Sequence, residues 1–202
     1  MIRLENEAPV AQGGKCFVFI HPDNADWLIK VVGQPDIIRA QAKSAFWHGH
    51  ERRYRHLKNF LRAIREQIVM MAEQQQASPY IQYVVGLTET DLGIGLVVLA
   101  ERLAGQLAPT LHDLRAAGAL DDDLRHCLQR FTEWIATSPV VVNDLSLKNV
   151  VLSDRGGIGR HFVLVDGYGE TAAIPLKSWL NWVNRLAIRR KIARLTRLAL
   201  TP

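Results

Sequence analysis

Asp144-Leu145-Ser146-Leu147-Lys148-Asn149, with the segment that follows it, is the stretch whose reading decides the fold. Val150-Val151-Leu152 reads as a strand and Asp154-Arg155-Gly156-Gly157 as a turn. Phe162-Val163-Leu164-Val165 reads as the returning strand and ends on Asp166-Gly167. A hairpin brings its two ends together, so Asn149 and Asp166 are expected within a few ångströms of each other. One amide oxygen and one carboxylate at such a place suit Mg2+, a hard cation that takes a few protein oxygens and completes its shell with phosphate and water. Asp144, five residues before Asn149 on the same loop, can then face an acceptor hydroxyl.

Upstream of this stretch, Thr110-Leu111-His112-Asp113 has the form of a capped helix start. Residues 122–137 carry Leu124, Cys127, Leu128, Phe131, Trp134 and Ile135 at helical spacing, which predicts a helix with one buried face. Pro139 then introduces the apolar run Val140-Val141-Val142. Near the N-terminus, residues 16–20 and 27–32 read as strands around the turn cluster His21-Pro22-Asp23-Asn24. From about Arg39 to Met71 the apolar residues recur at helical spacing among many charges. Residues 81–85 and 94–100 read as further strands, with Asp91-Leu92-Gly93 as the turn between them. The chain from about Leu176 to Leu200 reads as a tryptophan-bearing helix or helix pair. These elements predict an α+β protein.

The composition narrows the class. The 202 residues are 48% hydrophobic and 22% charged, which suits one domain or two small lobes. No apolar run is long enough to span a bilayer, and no apolar signal core follows Met1. Two cysteines, Cys16 and Cys127, without metal-ligand spacing suit a reducing cytoplasm. The net charge of +5 is unevenly spread. Residues 1–170 hold 18 basic against 20 acidic side chains, whereas residues 171–202 hold seven basic and none acidic. An acidic body argues against a general nucleic-acid binder, and the basicity belongs to the tail.

An acid that orients a nucleophile's proton, beside an asparagine and an aspartate that hold a metal, is the arrangement of kinase-type phosphoryl transfer. Asp144 to Asn149 resembles the catalytic loop of the protein-kinase-like superfamily, and Asp166-Gly167-Tyr168-Gly169 resembles its Asp-Phe-Gly motif. The Asp-Leu-Ser wording is similar to that of atypical bacterial and RIO-type kinases. A closer resemblance, over nearly the whole chain, is to the bacterial PhoP regulatory network protein family, YrbL-like. It is carried by Lys15-Cys16, by Thr90-Asp91 with Gly93 and Gly95, and by Asp166 through Pro175-Leu176.

The resemblance implies a compact two-lobed kinase-like fold, with an N-lobe over 1–102 and a reduced C-lobe over 103–202. Mg2+ and ATP would lie between the N-lobe hairpin and the loop and hairpin at 144–166. Lys30 would contact the α- and β-phosphates, with Glu51 as the carboxylate that holds it. Gln12-Gly13-Gly14-Lys15 would cover the phosphates, and the backbone at Glu101 and Leu103 would meet adenine in the hinge. Asp144 would be catalytic, with Asn149 and Asp166 as metal ligands. Val142-Asn143 stands where ordinary protein kinases have His-Arg, and no Ala-Pro-Glu segment follows Asp166. The expected acceptor is therefore an anionic small molecule, a glycan or a lipid headgroup.

Bland readings stand beside these. Gly13 and Gly14 can form a simple strand-entry turn, and Glu51, near Arg52, Arg53 and Arg55, an ordinary surface ion pair. The arginines after Arg185 can be a solvated helix face, or a cationic face against an anionic membrane. Three functions follow: a phosphotransferase, a catalytically weak kinase-like regulator that binds nucleotide or a partner, and a peripheral membrane-binding module.

Overall fold

Residues 16–32 and 84–99 build one antiparallel sheet whose inner strands are buried on both faces over Leu28-Ile29 and Gly95–Val98. The computed structural model describes residues 1–13, 16–33, 56–74, 77–169 and 181–200. Strands β1 (Ala11–Gln12), β2 (Cys16–His21), β3 (Asn24–Val32), β4 (Val84–Thr90) and β5 (Gly93–Leu99) take the order β1-β2-β3-β5-β4. The chain divides into two compact units, residues 1–64 with 84–100, and residues 65–83 with 101–202.

In the first unit, Phe19 pairs with Ile29 and Phe17 with Val31, so four apolar side chains share one face of the sheet. Leu4 closes over Phe19, Ile29 and Val31, with Ile2 and Phe17 at the margin. Asp91, in the β4–β5 turn, fixes that cover: Leu4 N–H donates to Oδ1 at 2.8 Å and Glu5 N–H to Oδ2 at 3.1 Å. Desolvation works against the charge on Asp91, yet these backbone donors prevail and hold its carboxyl below the ordinary value. Thr90 Oγ1 donates to the Gly93 carbonyl at 2.6 Å, and Gly93 turns the chain with a φ of 108°. At Gly95 a Cβ would collide with Ile29. Thr90, Asp91, Gly93 and Gly95 thus build a turn and anchor the N-terminal segment.

The second unit is centred on the hairpin of β8 (Val150–Ser153) and β9 (His161–Leu164), in which every residue is buried. Helix α3 (Asp122–Thr137) packs its stripe Leu124, Cys127, Leu128, Phe131 and Ile135 against β9. Asp121 caps α3, and a Thr110–Asp113 capping box starts the short α2 (Leu111–Ala116). Helix α4 (Asn181–Leu200) packs on α2 and α3 and buries Ile188, Leu195 and Ala199. The unit boundary falls within α1 (Lys58–Gln74).

Two segments differ from the sequence expectation, and the apolar run Val140–Val142 takes a form that the sequence left open. The run Val140–Val142 forms no strand, because its peptide groups bond to other partners, and only Val142 makes a single bridge, to Tyr168. Over residues 81–85, Ile81 makes one bridge to Leu164 and the strand begins at Val84. The strand over 94–100 stops at Leu99, and a two-stranded hairpin follows, β6 (Arg102–Leu103) with β7 (Gln106–Leu107). Its turn residues Ala104 and Gly105 have φ of 50° and 80°, a type I′-like pair that Ala-Gly hardly announces. The early part of the helix expected from Arg39, together with Glu51, lies outside the described residues, as do Gly14, Lys15 and Pro175-Leu176.

Candidate functional site

The loop before β8 is pinned at its apolar positions. Leu145 and Leu147 are buried, and the Leu147 carbonyl accepts from His112 N–H at 3.1 Å. Between and beyond them, Asp144 is exposed and Asn149 half-buried. Asn149 N–H donates to the Ser146 carbonyl at 3.1 Å, which curls the loop back on itself. Asn149 Nδ2 donates to Asp144 Oδ2 at 2.9 Å and to the Asp144 carbonyl at 3.2 Å. Both partners are acceptors, so the amide orientation is settled and Oδ1 is the atom left over.

The hairpin carries the second carboxylate to the same place. Val165 N–H donates to the Asn149 carbonyl at 2.9 Å, immediately before Asp166. The Gly167 carbonyl then accepts from both Asn143 N–H and Asp144 N–H, each at 2.8 Å. A Cβ on Gly167 would collide with the Asp144 carbonyl and stand 2.9 Å from Asn149 Nδ2, and its φ is 84°. Glycine is therefore demanded here twice, by close approach and by conformation. Asp166 is exposed, and its Oδ1 accepts from Gly167 N–H at 2.7 Å. The structure thus brings Asp144, Asn149 and the Asp166-Gly167 segment together, as the hairpin reading expected.

Among the described residues, Asn149 Oδ1 and Asp166 Oδ2 accept no hydrogen bond. A donor set of oxygens with no sulfur or imidazole fits a hard divalent cation such as Mg2+. Behind the site, Tyr168 is buried. Burial pushes its phenol well above the ordinary value, and the charges of Asp166 and Glu66 push it the same way.

The other expected residues lie elsewhere. Lys30 is half-buried on the central strand β3, in register with Val18 of β2 and Leu96 of β5. Gly13 N–H closes the β1–β2 turn on the Cys16 carbonyl at 2.9 Å, and neither its backbone nor its surroundings require a glycine. The Glu101 carbonyl accepts from Ala108 N–H at 3.0 Å, and Leu103 pairs with Gln106. The Glu101 side chain turns inward, where Ser153 Oγ–H donates to its Oε2 at 2.7 Å. Burial pushes its carboxyl up, although the Ser153 hydrogen bond and the charges of Arg155 and His161 oppose the shift.

Sequence reasoning missed Glu66 and Lys191, which bond to the backbone upstream of Asp144. Each is a charged residue on the apolar stripe of its helix, and that misfit was the available signal. Arg189, Arg190, Arg194 and Arg197 of α4 are exposed. Among the described side chains of that helix Ile188, Leu195 and Ala199 are buried, whereas Leu198 and Leu200 are exposed. No helix among the described residues is long and apolar enough to cross a membrane.

Comparison with solved structures gives a likeness to Rad53 residues 1–466 in complex with AMP-PNP, with a TM-score of 0.57 at 16% identity. That alignment covers 96% of this chain, which spans 46% of the matched one. A likeness to WbdD in complex with the kinase inhibitor LY294002, at 19% identity over 91% of this chain and 45% of the other, has a TM-score of 0.44 and carries no argument. The fold is protein-kinase-like, with a small antiparallel sheet in one unit and a helical unit around the loop-bearing hairpin. Among curated proteins, the uncharacterized protein YrbL of Escherichia coli (strain K12) is 26% identical over 192 residues, 90% of this chain and 80% of its own length. YrbL of Shigella flexneri matches to the same extent. The model of the PhoP regulatory network protein YrbL covers residues 2–199, and the chain belongs to that family.

Proposed function

We propose that this chain transfers the γ-phosphoryl group of Mg-ATP to a hydroxyl of a small molecule, sugar or lipid headgroup. The observation that carries the reading is the hydrogen-bonded set of Asp144, Asn149 and Gly167; in this reading the Asp144 carboxylate serves the acceptor proton and the Asn149 and Asp166 oxygens serve a cation. The AMP-PNP complex of the Rad53 structure supports a nucleotide as the ligand class.

In this reading Asp144 orients the acceptor hydroxyl and takes its proton. The acceptor oxygen forms a bond to the γ-phosphorus while the bond from that phosphorus to the bridging oxygen breaks, and ADP leaves. Asn149 Oδ1 and the Asp166 carboxylate would hold Mg2+, which would draw charge from the phosphate oxygens. The family resemblance assigns Lys30 and Gly13 to the phosphates, while Glu51 and Gly14 lie outside the described residues.

Thermal unfolding of the wild type and of Asp166→Ala, with ATP in the presence and absence of Mg2+, tests this. A ligand at about 100 times its dissociation constant adds roughly 2.7 kcal/mol, and only the wild type with Mg2+ is expected to show the full shift. No shift at millimolar Mg-ATP sinks the proposal. A second reading, a catalytically weak kinase-like regulator, is favoured by the backbone expected to meet the base being already paired, Glu101 with Ala108 and Leu103 with Gln106. It gains if Mg-ATP binds but no phosphate reaches sugar or headgroup acceptors.

A further inference from the structure

Two charged side chains occupy helix positions where an apolar residue would be the ordinary choice. On α1, Phe60, Ala63 and Met70 form the buried stripe, and Glu66 lies on it with 7% of its surface exposed. On α4, Ile188, Leu195 and Ala199 form the stripe, and the partly buried Lys191 lies between the first two. Packing alone does not call for charge at either place, because a buried charge that is not well bonded is costly.

Both side chains end on the same short piece of backbone. Glu66 Oε2 accepts from Val141 N–H at 3.0 Å, across 75 positions of sequence. Lys191 Nζ donates to the Val142 carbonyl, across 49 positions. The Val141 carbonyl accepts from Gly169 N–H at 2.6 Å, and the next two amides, of Asn143 and Asp144, converge on Gly167. The peptide groups leading into Asp144 are therefore held by α1, by α4 and by the segment after Asp166. Hydrogen bonds from an ionised partner are the stronger kind, and they bear here on groups that a loop would otherwise leave to water.

We propose that Glu66 and Lys191 are positioning residues that fix the backbone of Val141 to Asp144 and thereby the aim of the Asp144 carboxylate. The catalytic consequence rests on the phosphoryl-transfer reading, whereas the fixing of the backbone does not. On this view the C-terminal helix serves the loop through Lys191.

The test uses the full chain as wild type, Lys191→Met, which keeps the stem and removes the donor, and Lys191→Arg, which restores a donor. Native-state amide exchange is read at Asn143 and Asp144 with α3 as the internal reference, alongside steady-state turnover of Mg-ATP. In Lys191→Met, exchange at the two loop amides is expected to rise about tenfold while α3 is unchanged, with Lys191→Arg recovering most of the protection. Where the wild type turns over Mg-ATP, kcat is expected to fall about 10- to 100-fold in Lys191→Met with KM nearly constant, and Arg to rescue it. Exchange that stays at the wild-type rate, or that rises equally in α3, overturns the proposal, as does unchanged kcat in an active protein. If the wild type binds no Mg-ATP, the phosphoryl-transfer reading falls and exchange alone decides the positioning role. If Lys191→Met does not fold, Glu66→Met, which removes the acceptor, is read at the Val141 amide, where faster exchange supports the proposal and unchanged exchange overturns it.

Discussion

Gly167 is where a single methyl group has the most to disturb. Its φ of 84° and the Asp144 carbonyl beside it both exclude a side chain. Gly167→Ala is expected to cost about 2 kcal/mol or more in urea unfolding, and to abolish any Mg-ATP-dependent thermal shift. Glu101 gives a second measurement at this scale. Its carboxyl is raised by burial, so the folded protein holds that proton more tightly than the unfolded chain does. The favourable contribution of the neutral acid is fully present at low pH and is lost as pH rises through the raised value. Glu101→Gln keeps an acceptor for Ser153 and removes the charge. Its melting temperature is expected to exceed that of the wild type at pH 8, with the difference vanishing as pH falls below the ordinary glutamate range.

Elements with strong local chemistry were legible without the fold. The helix over 122–137 was readable to the residue because its apolar stripe and its cap agree. The capping box at Thr110 was equally plain, and Thr110→Ala is expected to cost about 1 kcal/mol by thermal or chemical denaturation. The 150–165 hairpin announced itself through its turn and its β-branched strands, and with it the meeting of Asn149 and the Asp166 segment. The path of Val140–Val142 was not legible, because β-branched composition says nothing about which partners the peptide groups will find. Here those partners include side chains of Glu66 and Lys191, both far away in sequence. The β6–β7 hairpin was hidden for a related reason: Ala104 adopts a positive φ that its residue type does not favour, supported by its N–H bond to Asp154 Oδ2 at 2.9 Å.

For the molecule as a whole, the basic tail changed meaning most. The sequence left its arginines as a solvated helix face or a cationic face against a membrane. In the fold Ile188, Leu195 and Ala199 are buried in the second unit, Lys191 reaches the loop backbone, and Arg189, Arg190, Arg194 and Arg197 are exposed. Leu195→Ala is expected to lose about 2–5 kcal/mol of stability, measured by denaturant unfolding, as a cavity opens beside α2 and α3.

By itself the sequence determined the alternation of strands and helices, the caps, and the loop-and-hairpin constellation of Asp144, Asn149 and Asp166. Those depend on periodicity, turn chemistry and residue spacing, which are local. Only the tertiary structure decided that Gly167 must lie against Asp144, that Asp91 ties down the N-terminal segment, and that Glu66 and Lys191 converge on the backbone before Asp144. Such contacts join residues separated by tens of positions, and a buried peptide group takes whichever partner the packing brings to it.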